Sequence, residues 1–227
     1  MTELTLKAVD CDEALTSAIA GLCGTTRAAF LRNTALGGTA MLAALAAPAS
    51  GAQVSDVDIL RFGLRFERLQ ATFYTQAEEL GTIGKMTSAK QEWARTLGAH
   101  ERAHVKIIKQ VLGPKAEGSP RFDFGSANES AATFTRTAVA MEDLTVALLG
   151  GVTPRIQDRG LTAALFGLLT VEARHAAWAR NIAGTTPAPS AFDEPQSLKS
   201  VRRAVAKTRF IVAPPKTAAK GEPRYTG

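Results

Sequence analysis

A Glu-x-x-His pattern occurs twice in this 227-residue chain, at Glu101/His104 and at Glu172/His175. Both copies lie in stretches whose apolar residues recur at alternating three- and four-residue steps, the period of an amphipathic helix. A histidine three residues after a glutamate lies on the same helical face, so both side chains can approach one point. Because the chain has only three histidines, two in this pattern are not expected by chance.

The periodicity predicts four helices, from Ser55 to Leu80, Ser88 to Leu112, Asn128 to Leu149, and about Pro154 to Ala183. We expect Ser55 to cap the first helix, and the pairs Gly113-Pro114 and Gly150-Gly151 to end the second and third. The first and second helices are joined by a short link, as are the third and fourth. Each of these pairs is therefore predicted to be antiparallel.

The connection between the second and third helices, residues 113–127, is longer and rich in Gly, Pro and Ser. A helix of about 24 residues is roughly 36 Å long, and about 15 extended residues reach roughly 50 Å. The connection can therefore run the whole length of the bundle. The predicted fold class is all-α: a four-helix bundle with one long crossover between helices two and three, which is the ferritin-like topology.

Each predicted helix carries one glutamate near the middle of its mostly apolar face. Four carboxylates at similar depth in a core would repel one another unless cations lay among them. One Glu from each of two helices and Glu-x-x-His from each of the other two form the ligand set of a dinuclear carboxylate site. The sequence therefore predicts two iron or manganese ions, both of which suit oxygen and imidazole ligands. The predicted metal ligands are Glu67, Glu101, His104, Glu142, Glu172 and His175.

Some of these residues and their neighbours have other interpretations. His100, Glu101 and His104 also match the His-Glu-x-x-His pattern of zinc proteases, but that reading leaves the second Glu-x-x-His without a role. His100 is then expected to be exposed or in contact with a metal ligand. Tyr74 lies two turns from Glu67 on the same face, where it is either a catalytic residue or a core aromatic with a satisfied hydroxyl. Trp93 and Trp178 are expected to be core aromatics.

The formal net charge of +6 belongs to the C-terminal end of the chain. Residues 53–195 carry 16 basic and 16 acidic side chains, whereas residues 196–227 carry 8 basic and 1 acidic. A nucleic-acid-binding fold would spread its basic side chains over a structured face, so no nucleic-acid partner is predicted. The tail is expected either to be solvated or to contact an anionic surface. The two cysteines, Cys11 and Cys23, lie outside the helices, which excludes a cysteine-ligated metal centre in the bundle.

The chain is predicted to have three parts. Residues 1–52 contain arginines, an apolar run and small residues in the order of an export signal; an Ala-rich helix packed on the bundle is the alternative. Their TRAAFLR stretch resembles a twin-arginine signal, although Ala28 stands in place of the second arginine. Residues 53–184 form the bundle, and residues 185–227 form a Pro-containing basic tail that is partly disordered. An exported, extracytoplasmic protein is therefore favoured over a cytoplasmic one.

Four helix segments, LRFERLQATFY, AHERAHVKII, AMEDLTVALLG and TVEARHAAWAR, resemble the bacterial ferritin-like domain family that includes desiccation-related proteins. The resemblance covers about residues 55–183 and implies the same six metal ligands. It also implies the activities found among ferritin-like proteins: storing or oxidising iron, destroying peroxide, or activating oxygen. The Cys-rich electron donor of rubrerythrins is absent from this sequence, which makes peroxide reduction by an internal donor unexpected.

Three functions are open at this point. The first is an oxidoreductase of ferroxidase, peroxidase or catalase type that acts on dioxygen, peroxide or ferrous iron in stress protection. The second is a non-catalytic metal-binding protein in which the ions stabilise the bundle under desiccation stress. The third is a protein that binds an anionic surface through its basic tail. A homo-oligomer is compatible with each of them.

Overall fold

The computed structural model describes residues 54–213, and this part of the chain is mostly helical. Two predictions lie outside the described residues: the export signal in residues 1–52 and the partial disorder of the last residues of the tail. The described residues contain the α-helices α1 (Asp56–Glu79), α2 (Ser88–Leu112), α3 (Ala131–Val152), α4 (Arg159–Ile182) and α5 (Leu198–Thr208). Two short strands, β1 (Arg121–Phe122) and β2 (Ile211–Ala213), form an antiparallel pair.

Helices α1 to α4 form the bundle, with α1 packed along α2 and α3 packed along α4. The connection between α2 and α3 follows α1 from one end to the other. Near the start of α1, the Arg61 side chain donates a hydrogen bond to the Lys115 carbonyl oxygen. Near its end, Asn128 Nδ2 donates to the Phe73 carbonyl oxygen. The long crossover is thus present, and the all-α ferritin-like fold is confirmed.

The helix starts are fixed by polar caps. Ser55 accepts a hydrogen bond from the Asp58 amide, as the sequence predicts, and Ser130 forms a capping box with Thr133 at the start of α3. The predicted start of α4 near Pro154 is wrong, because Pro154 lies in a separate 3₁₀ turn. The helix begins instead after Asp158, whose carboxylate accepts from the Leu161 amide at 2.7 Å.

The predicted end of α3 at Gly150-Gly151 is also wrong, since the helix continues through both glycines to Val152. The chain that precedes α5 passes directly over this part of α3, where the Gln196 amide donates to the Ala147 carbonyl oxygen at 2.8 Å. A Cβ atom on Gly151 would overlap the Gln196 carbonyl oxygen. The second glycine therefore permits a close approach between two segments and does not end the helix.

A cluster of aromatic side chains fills the half of the bundle that contains the start of α3. Phe73 stacks on Phe134 with their ring centroids 4.9 Å apart, and Tyr74 meets Phe134 edge to face at 5.6 Å. Trp93 also contacts Phe134 and is fully buried. The core position expected for Trp93 is therefore observed, while Trp178 is only partly buried against the core.

The chain after the bundle packs back onto it. In α5, Val201 and Val205 are buried, and the Arg202 guanidinium lies 5.1 Å from the centre of the Phe62 ring of α1. Strand β2 then pairs with β1 in the crossover, with Phe122 opposite Ile211. This part of the predicted basic tail therefore forms a helix followed by a strand.

Candidate metal centre

The six predicted ligands come together at the middle of the bundle. Each of α1, α2, α3 and α4 contributes one glutamate, and α2 and α4 each add a histidine one turn further on. Glu101, Glu142 and Glu172 have no exposed surface, and Glu67 is 2% exposed. Four acidic side chains are thus removed from water in one place, although a buried charge is costly without a partner.

The imidazole of His104 faces three of these carboxylates. Its Nδ1 atom lies 3.0 Å from an oxygen of Glu172, 3.3 Å from one of Glu67 and 3.6 Å from one of Glu101. The three glutamates belong to three different helices, α4, α1 and α2. One nitrogen of His104 is therefore surrounded by oxygens that converge on the same small volume.

The imidazole of His175 has a similar set of neighbours. Its Nδ1 atom lies 3.2 Å from an oxygen of Glu101, 3.4 Å from one of Glu172 and 3.6 Å from one of Glu142. The cluster therefore divides into two groups, each of which can place four ligand atoms within 4.8 Å of one another. The groups are Glu67, Glu101, His104 and Glu172, and Glu101, Glu142, Glu172 and His175. Glu101 and Glu172 belong to both.

Several buried atoms of the cluster lack hydrogen-bond partners. The unpaired atoms include both side-chain oxygens of Glu101 and of Glu172, and Nδ1 of both His104 and His175. Buried polar atoms in native proteins are nearly always paired, so several unpaired atoms facing one another require an explanation. A cation that accepts their lone pairs supplies it. The donor set, carboxylate oxygen and imidazole nitrogen, suits iron or manganese.

Burial and mutual repulsion disturb the titration of the carboxyl groups. Burial raises the pKa of Glu101 well above its usual value, and the neighbouring carboxylates of Glu172, Glu67 and Glu142 raise it further. Burial likewise raises the pKa of Glu142 to about 7, although His175 and Tyr74 act against it. Glu172 differs, because its two histidine neighbours outweigh burial and lower its pKa to about 2.

The negative charge of the carboxylates also changes the pKa values of the two histidines. Burial disfavours the charged imidazolium, but the carboxylates of Glu101, Glu172 and Glu67 outweigh it and raise the pKa of His104 to about 12. Glu101, Glu142 and Glu172 similarly raise the pKa of His175 to about 11. Without a metal the cluster therefore attracts protons strongly, and a bound cation would replace them.

Tyr74 lies at the edge of this cluster. Its hydroxyl donates a hydrogen bond to Oε1 of Glu142 at 2.6 Å, and the side chain is fully buried. Burial and the adjacent Glu142 raise the pKa of the hydroxyl well above its usual value, so it keeps its proton. Gly98 lets α1 and α2 approach at this level, since a Cβ there would lie 2.9 Å from Cβ of Tyr74. Tyr74 is therefore a core aromatic with a satisfied hydroxyl, and the group that accepts from this hydroxyl is a predicted metal ligand.

His100 is exposed, yet its Nδ1 atom lies 2.9 Å from Nε2 of His175. It belongs to neither of the two groups that can hold a metal. The zinc-protease interpretation, which needs His100 and His104 on one ion, therefore has no support within residues 54–213. The periodicity of α2 could suggest that His100 lies near His104, but its contact with α4 depends on how the helices pack.

A small cavity of about 20 Å³ lies beside Glu67, between the start of α1 and the start of α4. A volume of this size holds about one water-sized molecule. Apart from Glu67 its lining is apolar, with residues such as Leu60, Leu149 and Leu165. This cavity could not be predicted from helical periodicity, because its walls come from all four helices of the bundle.

Fold and site together define a class: a four-helix bundle whose core carries a carboxylate–histidine cluster able to bind metal. The ferritin-like domain model matches residues 55–185, and the chain belongs to that family. No curated protein matches the sequence. Among the described residues, no helix is long and apolar enough to cross a membrane.

Proposed function

We propose that this protein is a dinuclear iron or manganese oxidoreductase that acts on dioxygen, peroxide or ferrous iron in stress protection. The observation that carries the proposal is the pair of overlapping ligand groups that share Glu101 and Glu172. Two ligand groups that overlap in this way can hold two ions a few ångströms apart, as in dinuclear carboxylate sites. The arginines and apolar run of residues 1–52 support the further proposal that the protein acts outside the cytoplasm.

The residues of the cluster have distinct roles in this proposal. Glu67 and His104 would hold one ion, Glu142 and His175 the other, and Glu101 and Glu172 both. Such a pair of ions supplies the one-electron redox steps that amino-acid side chains lack. The Tyr74 hydroxyl retains its proton and donates it in a hydrogen bond to Glu142, which would fix the orientation of that carboxylate.

The surroundings of the cluster favour a small substrate. The cavity beside Glu67 is small and apolar, and the side chains of the four glutamates are almost completely buried. A water-sized molecule fits there, whereas an organic substrate does not. Dioxygen, peroxide and a ferrous ion, each with only one or two heavy atoms, are close to this size, which is why we propose them together.

Metal analysis of matched variants tests the proposal. The purified full-length protein should bind about two ions per chain. Glu101→Gln should lose both ions because its carboxylate belongs to both groups, whereas Glu67→Gln and Glu142→Gln should each lose about one. A Glu101→Gln plus Glu172→Gln variant that retains full metal content would disprove the dinuclear site. The loaded protein should also consume peroxide or oxidise ferrous iron, and the double variant should not.

The alternative is a non-catalytic metal-binding protein of desiccation stress. One observation favours it: each of the four bundle helices contributes a ligand. Ions bound by these ligands would connect the helices and stabilise the bundle. A loaded protein that is strongly stabilised by metal, but turns over neither peroxide, dioxygen nor ferrous iron, would support this alternative against the enzyme.

A further inference from the structure

The contact between His100 and His175 is the one side-chain hydrogen bond that a predicted histidine ligand makes within the described residues. It joins Nδ1 of His100 to Nε2 of His175 at 2.9 Å, and the ring planes are inclined by 19°. The ring centroids lie 5.1 Å apart, close to the largest separation two imidazoles can have at that nitrogen–nitrogen distance. Each nitrogen therefore points directly at the other in the plane of both rings, as a well-aligned hydrogen bond requires.

This geometry assigns different tasks to the two nitrogens of His175. Its Nδ1 atom faces Glu101, Glu142 and Glu172, and its Nε2 atom faces His100. A neutral imidazole that binds a metal through Nδ1 carries its proton on Nε2. That proton is then donated to Nδ1 of His100, which acts as the acceptor and carries its own proton on Nε2.

We propose that His100 is a positioning residue that selects the tautomer and ring orientation of His175, and thereby sets the affinity of one of the two metal positions. This inference rests on the proposed dinuclear function. Metal-bound histidines commonly donate their second N–H to a carboxylate or a carbonyl, and such partners orient the ligand. Here a second imidazole on the neighbouring helix takes that place, which gives the His-Glu-x-x-His pattern of α2 a role for its first histidine.

The effect is confined to one metal position. His175 belongs only to the group that contains Glu142, whereas His104 belongs only to the group that contains Glu67. Within residues 54–213, His104 makes no hydrogen bond comparable to the one between His100 and His175. Loss of His100 should therefore weaken the binding of one ion and leave the binding of the other nearly unchanged.

Two substitutions of His100 separate positioning from simple packing. His100→Asn keeps an acceptor, because the Oδ1 atom of asparagine lies close to the place of the histidine Nδ1. His100→Leu has a similar shape without the acceptor. His100 is exposed, so neither change disturbs the core. Arg95→Leu, at another exposed position of α2, is the control for an apolar substitution on this helix surface.

The experiment is a titration of the full-length protein with Mn²⁺ in competition with a chelator, repeated with Fe²⁺ without oxygen. The wild type and Arg95→Leu should bind two ions. His100→Leu should weaken one of the two binding steps by about 10- to 100-fold, the range typical for the loss of a residue that orients a ligand. His100→Asn should restore most of that affinity, and circular dichroism should show that all three variants are folded.

The possible results are distinguishable. If the wild type binds neither ion, the dinuclear function itself is wrong. If the wild type binds two ions and His100→Leu does the same with unchanged affinities, only the role of His100 is wrong. The inference also fails if both binding steps weaken equally, or if the Asn variant is as weak as the Leu variant.

Discussion

At the scale of single residues, the hydrogen bond from Tyr74 to Glu142 makes a specific prediction. Tyr74→Phe removes the donor but keeps the ring in the aromatic cluster, so the free energy of unfolding should fall by about 1–3 kcal/mol, the cost of leaving a buried acceptor without its donor. The hydroxyl lowers the pKa of Glu142, and without it this carboxyl group should hold its proton to a higher pH. Metal must displace that proton, so binding at the Glu142 position should weaken, and more at pH 6 than at pH 8.

Mn²⁺ titrations at the two pH values measure this effect. Phe73→Leu is the matched control, because it alters the same aromatic cluster without touching Glu142. Equal metal affinity in the wild type and in Tyr74→Phe at both pH values would show that the hydroxyl has no influence on the site.

The sequence sufficed to predict the six clustered side chains, because helical periodicity determines which residues share a face. It could not predict the individual distances. That Nδ1 of His175 faces Glu101 and Glu142 on two other helices depends on how the helices are packed. The same holds for the contact between His100 and His175, which joins residues 75 positions apart.

At the scale of secondary-structure elements, local signals predicted some boundaries well and others poorly. Helix α2 has the predicted bounds, Ser88–Leu112, because a glycine and a proline follow it directly. Helix α3 continues through Gly150 and Gly151, and the need for a glycine at position 151 comes from the backbone of Gln196, 45 residues later in the chain. Signals that depend on neighbouring residues are readable from the sequence, whereas contacts made by distant segments are not.

The two glycines of α3 offer a matched pair of substitutions. Gly151→Ala should destabilise the protein by about 1–3 kcal/mol, because its Cβ would overlap the Gln196 backbone and force the two segments apart. Gly150→Ala should be neutral or stabilising by up to about 1 kcal/mol, since its Cβ would lie 3.6 Å from Pro195 and alanine favours the helix. Urea unfolding measures both values. Similar free energies of unfolding for the two variants would contradict the close approach at Gly151.

At the scale of the whole molecule, the cluster links metal binding to the stability of the bundle. Each bundle helix contributes a ligand, so an ion that binds only the folded chain stabilises the whole arrangement. With free metal at about 100 times its dissociation constant, this amounts to about 2.7 kcal/mol. For a chain of this size, that free energy corresponds to an increase in Tm of roughly 5–10 °C.

Without metal, the same cluster makes stability depend on pH. The pKa values of Glu67, Glu101 and Glu142 are raised by burial, and those of His104 and His175 by the carboxylates. Between about pH 5 and 8, the folded protein therefore holds more protons than the unfolded chain, and its stability should fall as the pH rises. Glu172, whose pKa is lowered, acts in the opposite direction only in more acidic solution.

Thermal unfolding of the metal-free and the metal-loaded protein, measured between pH 5.5 and 8, tests this relation. The metal-free wild type should have its higher Tm at pH 5.5, and added metal should raise the Tm most at pH 8, where fewer protons compete for the ligands. Glu101→Gln removes a carboxyl group whose ionisation burial and the neighbouring carboxylates disfavour, so its metal-free stability at pH 8 should be no lower than that of the wild type. Because Glu101 belongs to both ligand groups, this variant should gain no stability from metal. A metal-dependent rise in the Tm of Glu101→Gln equal to that of the wild type would mean that the ions stabilise the protein from somewhere other than this cluster.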